Sequence, residues 1–371
     1  MRFIVALKER DETFTALCRQ FGISRKSGYK WFERYEERGA AGLEDQPPVA
    51  GHHPAKTPDS LVDAIIAARK LHPTWGPRKL RVWLTERDPR RWPASSTIGD
   101  ILKTHGLVRP ARRRPRTPVG LGGIERGVAP NDVWCTDFKG DFSLRDRTRC
   151  YPLTISDEGS RYLLKCEGLV APRHELAAPH FEMAFREFGL PDAIRSDNGV
   201  PFASTAPGGL SKLSRRWVQL GIDPLRIDPG EPQQNGVHER MHRTLKADAT
   251  KPPSEDLATQ QRAFDRFRAT FNDERPHEAL AMKPPAKVYT VSRRPMPAVV
   301  CEPEYGDGTV RRCNNKGWAR LRGLSVNLST VFADAHVVLR EVADGREELR
   351  YGPVLLGWVD RTTGETRFER Y

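Results

Sequence analysis

The spacing of apolar residues changes near Asp132, and that change constrains the chain more than any other feature. Upstream, apolar positions recur every three or four residues in short runs, as amphipathic helices require. Downstream, "VWCTDFKG", "CYPLTISDE" and "RYLLKCEGL" read as short strands divided by turn-forming residues. A chain of 371 residues with such a switch is multidomain. The expected order is N-terminal helix-turn-helix modules at 1–48 and 56–118, a central α/β core at 130–282 and a small all-β domain at 300–371.

The first module follows from "ETFTALCRQFGISRKSGYKWFERYEERG". Leu17, Phe21, Ile23 and Trp31 supply apolar positions, Gly22 suits a tight turn and Ser24 is placed to cap the next helix. That second helix would expose Arg25, Lys26 and Lys30, side chains that reach phosphates and base edges when a helix lies in the major groove. The second module has three helical runs, "SLVDAIIAARKLHP", "GPRKLRVWLTER" and "SSTIGDILKTHGLV", with Pro77 at a helix start and Ser95 or Ser96 as a cap. The last run would be its recognition helix. In the "RPARRRPR" that follows, proline opposes regular folding and Arg112, Arg113 and Arg114 can follow a phosphate backbone.

Charge agrees with this division. Residues 1–118 hold 24 Lys and Arg against 13 Asp and Glu, net +11, whereas the other 253 hold 37 against 35, net +2. A polyanion is the expected partner, and DNA affinity is expected mainly at the front. No stretch reaches the roughly 18–20 apolar residues of a membrane span, and Phe3–Leu7 is too short for a signal-peptide core. The six cysteines form no Cys-x-x-Cys pair and read as small buried side chains. His52 and His53 belong to a Pro- and Gly-rich linker at 51–58, and 284–297 reads as a second linker.

Three acidic residues in the core lie where carboxylates could share a cleft: Asp137 ending a strand, Asp197 following one, and Glu239 in a helix. Cutting or joining a phosphodiester without a covalent intermediate calls for hard oxygen ligands holding one or two Mg²⁺. Glu231 is a rival third carboxylate, but it sits between Gly230 and Pro232, and a helix fixes a ligand better than a loop. Asp157 reads as structural. His238 and His242 could imitate a zinc pair, yet no third soft ligand accompanies them. A helical repeat of 3.6 residues puts Glu239, His242, Arg243 and Lys246 on one face, where the two cations could hold phosphates beside the scissile bond.

The words around these residues carry a resemblance. "WCTDFKG", "IRSDNGVPFAS" and "PGEPQQNGVHERMHRTLK" resemble the three blocks of the integrase-type catalytic core, which has a ribonuclease H-like fold. With "LCRQFGISRKSGYKW", "HPTWGPRKL" and "FNDERPHEAL", nearly all of 1–300 resembles the insertion-sequence IS481 family of transposases. The resemblance implies that Asp137, Asp197 and Glu239 form a DDE triad binding Mg²⁺, with Mn²⁺ as a substitute. It implies cleavage at transposon ends, joining of the freed 3′-hydroxyls to target DNA, recognition of terminal inverted repeats, and a homo-oligomer on DNA. The expected location is the bacterial cytoplasm, in association with the nucleoid. A regulator that binds DNA through its helix-turn-helix modules without catalysis is the alternative. One departure is that 41 residues separate Asp197 from Glu239, and the extra length, in "STAPGGLSKLSRR", is expected in a surface loop and helix.

Overall fold

A computed structural model of the protein describes residues 2–9, 12–44, 56–108, 127–228, 234, 236–342 and 345–369. Arg112, Arg113, Arg114 and Glu231 lie outside the described residues, as do His52 and His53. The chain divides into two compact units, Met1–Pro58 and Asp59–Tyr371.

The first unit is a helix trio, α1 (Arg2–Glu9), α2 (Phe14–Gln20) and α3 (Arg25–Arg38). Ser24 caps α3 as expected, its hydroxyl accepting from the Ser27 N–H at 3.1 Å. Gly22 takes the left-handed conformation that the turn requires (φ 64°). Phe3, Ile4, Leu17 and Cys18 form the buried centre. Gly28 lets α3 press onto α2, since a Cβ there would stand 2.8 Å from Cys18 Sγ.

The second unit opens with another trio, α4 (Asp59–Leu71), α5 (Pro77–Arg87) and α6 (Ser95–Thr104), packed around Ile65, Trp75, Leu80, Ile98 and Leu102. Pro77 starts α5 as expected. Neither Ser95 nor Ser96 caps α6: the N-cap is Ala94, without a side-chain hydrogen bond, and Ser95 is already helical. This trio is seated on the α/β core. Glu274 accepts from Trp83 Nε1 at 3.2 Å and Arg87 Nη2 at 3.0 Å, Thr74 donates to Asp248 at 3.1 Å, and Lys287 reaches Glu86 at 3.0 Å.

The core is a mixed sheet of β1 (Val133–Phe138), β2 (Phe142–Ser143), β3 (Arg149–Asp157), β4 (Leu163–Leu169), β5 (Ala193–Ser196) and β6 (Asp223–Arg226). Its path runs β2-β3-β1-β5-β6, with β4 also paired to β3. β1 is antiparallel to β3 and parallel to β5. On one face, Trp134, Leu153, Ile155 and Ile194 pack against α7 (His174–Phe188) and α8 (Lys212–Gln219) through Phe181, Phe185 and Trp217. Leu163 and Cys166 pack with Met241 and Leu245 of α9 (Gly236–Ala249) and Phe264 and Phe267 of α10 (Leu257–Ala269) in a second buried cluster. Helices therefore cover both faces of the sheet.

α10 ends at Ala269 and the chain continues as a π-helical turn, Thr270–Glu274. The turn buries Asn272, whose side-chain amide pairs with both the N–H and the carbonyl of Leu163, and its last residue is the Glu274 that docks the second trio.

The C-terminal strands β7 (Thr309–Arg312), β10 (His336–Glu341), β11 (Arg346–Tyr351), β12 (Val354–Asp360) and β13 (Thr366–Phe368) form an antiparallel sheet, beside the hairpin β8 (Trp318–Leu321) and β9 (Leu324–Asn327). Two expectations are corrected here. The "STAPGGLSKLSRR" segment is no surface excursion: its Ala206 and Leu210, with Val218 just beyond it, are buried in the same apolar cluster as Leu339, Tyr351 and Leu356, so the extra length between Asp197 and Glu239 seats the β domain. Gly208 makes that approach possible, because at φ 63° a Cβ would meet the Leu355 carbonyl at 2.9 Å. The presumed linker at 284–297 is a strap packed on the core. Proline removes backbone donors, but side chains supply them: Tyr289 donates to Asn131 at 2.9 Å, Ser292 to the Leu190 carbonyl at 2.6 Å, and Arg294 to the Gly221 carbonyl at 2.6 Å. Five cysteines are buried as expected, whereas Cys301 is exposed.

Candidate active site

β1 carries Asp137 to the sheet's edge of regular pairing, where it stands opposite Thr154 of β3. Asp197 directly follows β5, the parallel neighbour of β1, and Glu239 lies in the first turn of α9. Parallel neighbours deliver the two aspartates at the same end of the sheet, and α9 brings the glutamate across.

Electrostatics record this convergence. Burial pushes the Asp137 carboxyl up to about 7, Asp197 and then Glu239 push it the same way, and a backbone hydrogen bond at Phe138 opposes them. Burial also raises Asp197, against a hydrogen bond from the Gly199 N–H at 3.2 Å. Like charges that cost free energy when crowded together form a donor set suited to a divalent cation, and all three are hard oxygen donors. Among the described residues no three His, Cys, Asp or Glu side chains already stand close enough to grip one ion, so the carboxylates would have to draw together on binding.

The two histidines serve α9. His238 Nε2 lies 2.8 Å from Thr154 Oγ1 and its Nδ1 lies 2.8 Å from Ser156 Oγ, while His242 Nε2 lies 2.7 Å from the same Thr154 oxygen. The Thr154 hydroxyl donates its one hydrogen to the Asp137 carbonyl at 3.1 Å and so accepts from both rings. Burial holds His238 down to about 3 and His242 to about 2, which keeps the rings neutral. Both rings are thereby pinned to β3, which fixes Glu239 beside the strand carrying Asp137 and leaves no zinc pair. The sequence reading missed Thr154 and Ser156. Their signal was there: in Leu153-Thr-Ile-Ser156, apolar and polar residues alternate with strand period, so the polar pair faces one side together.

Asp157 is structural, accepting from the Asn131 N–H at 2.7 Å, the Ser160 N–H at 2.7 Å and the Ser160 hydroxyl at 2.5 Å. A second overlooked support is the buried pair of Arg195 and Glu158 at 2.6 Å, next to the strand end that carries Asp197.

Arg243 and Lys246 are exposed on α9 and line a groove whose opposite wall is the second helix trio, including Arg69 and Lys103. Lys139, two residues beyond Asp137, is held below its ordinary value by burial and then by Lys246. The groove thus concentrates positive charge beside the carboxylates. Arg25, Lys26 and Lys30 are exposed on α3 of the first unit. Among the described residues no helix is long and apolar enough to cross a membrane.

Comparison with known proteins fits this architecture. Residues 127–232 and 220–285 match integrase core domain families, residues 2–48 a helix-turn-helix domain and residues 27–102 a homeodomain-like domain. The chain is 26% identical over 245 residues to the uncharacterized 39.2 kDa protein of insertion element IS476 of Xanthomonas euvesicatoria, covering 64% of this chain and 67% of that protein. It is 26% identical over 185 residues to the uncharacterized 31.7 kDa protein of IS407 of Burkholderia multivorans, covering 48% and 63%. The chain thus spans about two thirds or less of these relatives. A solved structure of the HTLV-2 integrase catalytic core domain in complex with magnesium aligns at a TM-score of 0.36 and 17% identity, over 44% of this chain and all of that one. The class is therefore an integrase-core protein with helix-turn-helix domains. Within that class the relatives it resembles include proteins of insertion elements.

Proposed function

We propose that the protein cuts the ends of its element and joins the freed 3′-hydroxyls to target DNA, with Asp137, Asp197 and Glu239 holding Mg²⁺, or Mn²⁺ in its place. The observation that carries this reading is the gathering of these carboxylates at one end of an integrase-core sheet, where burial first, and then Asp197 and Glu239, lift Asp137 to about 7. Divalent cations held there would activate the attacking oxygen and stabilise the leaving one. The chain's own residues do the rest. Asp137 gives up its proton on loading, Thr154 with His238 and His242 holds α9 in place, and Arg243, Lys246 and Lys139 anchor phosphates on either side of the scissile bond. α3 reads terminal repeats through Arg25, Lys26 and Lys30, and Arg112, Arg113 and Arg114 follow the backbone. The domain limits 1–48, 56–118, 130–282 and 300–371 belong to this reading. Two ends must be joined, so the working form is at least a dimer on DNA.

The test is cleavage and strand transfer on duplexes carrying the sequences that flank the coding region. Asp137→Asn, Asp197→Asn and Glu239→Gln should each abolish the Mg²⁺-dependent reaction while leaving DNA binding largely intact. Near wild-type strand transfer by any one of them would remove that residue from the triad.

A further inference from the structure

A second cationic site lies on the far side of α9 from the carboxylates. Val237, Arg240, Met241 and Thr244 line it from α9, a helical stripe turned away from Glu239 and Lys246. The remaining walls come from Arg161 in the turn after β3, from the π-turn and the "ERPHEAL" word through Arg275 and His277, and from Lys79 of α5. The pocket measures about 270 Å³.

Its charges are poorly answered. Lys79, Arg161, Arg240 and Arg275 converge on it, against Asp157, whose carboxylate already accepts three hydrogen bonds, and the exposed Glu278. Arg275 has only a loose contact with Asp248, at 3.8 Å. Arg161 Nη1 and His277 Nε2 are buried without a hydrogen-bond partner. Burial, and then Arg275, holds Lys79 down to about 8, and burial also lowers Arg161 and Arg275. A buried guanidinium donor left unsatisfied costs free energy that a bound oxyanion would recover. Arginine forks suit phosphate oxygens, and a space of this size admits one phosphate with its sugar but no duplex.

We infer that this pocket, built by Lys79, Arg161, Arg240 and Arg275, binds a phosphate group, supplied either by a DNA strand end or by free phosphate. The site lies apart from the metal-binding carboxylates, and its test needs no metal. Full-length protein in chelator is titrated with inorganic phosphate at constant ionic strength, with binding followed by ³¹P line broadening and thermal shift. Saturable binding should weaken about tenfold in Arg161→Gln and in Arg240→Gln, the latter on an exposed helix position that spares the fold, and should be unchanged in Lys316→Gln, an exposed cation of the β domain. A parallel arm compares duplexes whose single-stranded overhang ends in a 5′-phosphate or a 5′-hydroxyl. Preference for the phosphate end, lost in Arg240→Gln, assigns the site to strand ends; saturable phosphate binding without that preference assigns it to free phosphate. No saturable binding beyond the ionic-strength control, or equal binding by wild type and Arg240→Gln, overturns the inference.

Discussion

The two helix trios share a sequence pattern and differ in what surrounds them. α1–α3 closes around Phe3, Leu17 and Cys18 as a compact unit of its own. α4–α6 closes around Trp75 and Leu80 yet also sends Trp83, Arg87 and Thr74 to the α/β core. The periodicity of apolar residues reports the inside of a module and says little about its outside. A helix-turn-helix trio that forms its own unit would, under the proposed function, suit recognition of sequence. A trio fixed against α9 makes one wall of the cationic groove, and under the proposed function it would set where a duplex lies relative to Asp137.

The largest test of that contrast is deletion. Removing residues 2–44 should bring specific binding down to the level of random DNA in gel shifts while Mg²⁺-dependent nicking persists. Removing 59–108 instead should abolish nicking as well, because the groove loses a wall and the core exposes the surface around Glu274. Equal loss of nicking in both deletions would erase the distinction between the modules.

A smaller effect is expected from Glu274→Gln, which weakens the acceptor shared by Trp83 and Arg87. Glu274 is half exposed, so the cost should be about 1–2 kcal/mol, felt as faster amide exchange in α5 with α3 unaffected. Unchanged exchange in α5 would mean that the apolar contacts alone hold the trio.

The carboxylates at the end of the core sheet give a pH signature. Asp137 is raised from 3.8 to about 7, so its ionisation opposes folding, and this loss sets in as pH rises through that window. Without metal at pH 8, Asp137→Asn should therefore melt higher, by about 2–4 °C for each kcal/mol of strain relieved, and the gap should close toward pH 4. In excess Mg²⁺ the order should reverse, since only the wild type gains stability from binding. A variant melting at or below wild type without metal would show that the carboxyl is not strained.

Much of this was legible from residues. Ser24, Gly22 and Pro77 act locally, so the sequence shows them directly. Asp137, Asp197 and Glu239 stood out through their surrounding words. What stayed hidden depends on distant partners. The 204–216 segment looks polar and loop-like because its hydrophobic match, Leu339, Tyr351 and Leu356, lies more than a hundred residues away. The strap at 284–297 looks like a linker because prolines advertise turns, while its anchors, Tyr289 and Arg294, act through side chains on residues far back in the chain. The role of Thr154 required knowing which strand faces α9.

The finest distinction lies between the cations of the first trio and those of the groove that the second trio walls. Arg25, Lys26 and Lys30 are exposed on a helix that, under the proposed function, enters a major groove, where their contacts would include base edges. Arg243 and Lys246 line the groove between α9 and the docked trio, where a duplex would present its backbone. The consequences for binding differ in kind. An Arg25→Ala change should cost about 1–3 kcal/mol on the cognate end and little on random DNA, narrowing the gap between them. Arg243→Ala with Lys246→Ala should weaken both sequences equally, lower the slope of log affinity against log salt by about 2, and slow strand transfer. The competing view is that Arg243 only pairs with Glu239 one turn back, a contact worth a few tenths of a kcal/mol, so that removing it would leave the salt slope where it was. Affinities for cognate and random duplexes across a salt series separate these outcomes. A double variant that altered sequence preference while keeping its salt slope would place base reading in the docked groove and undo the division of labour drawn between the two trios.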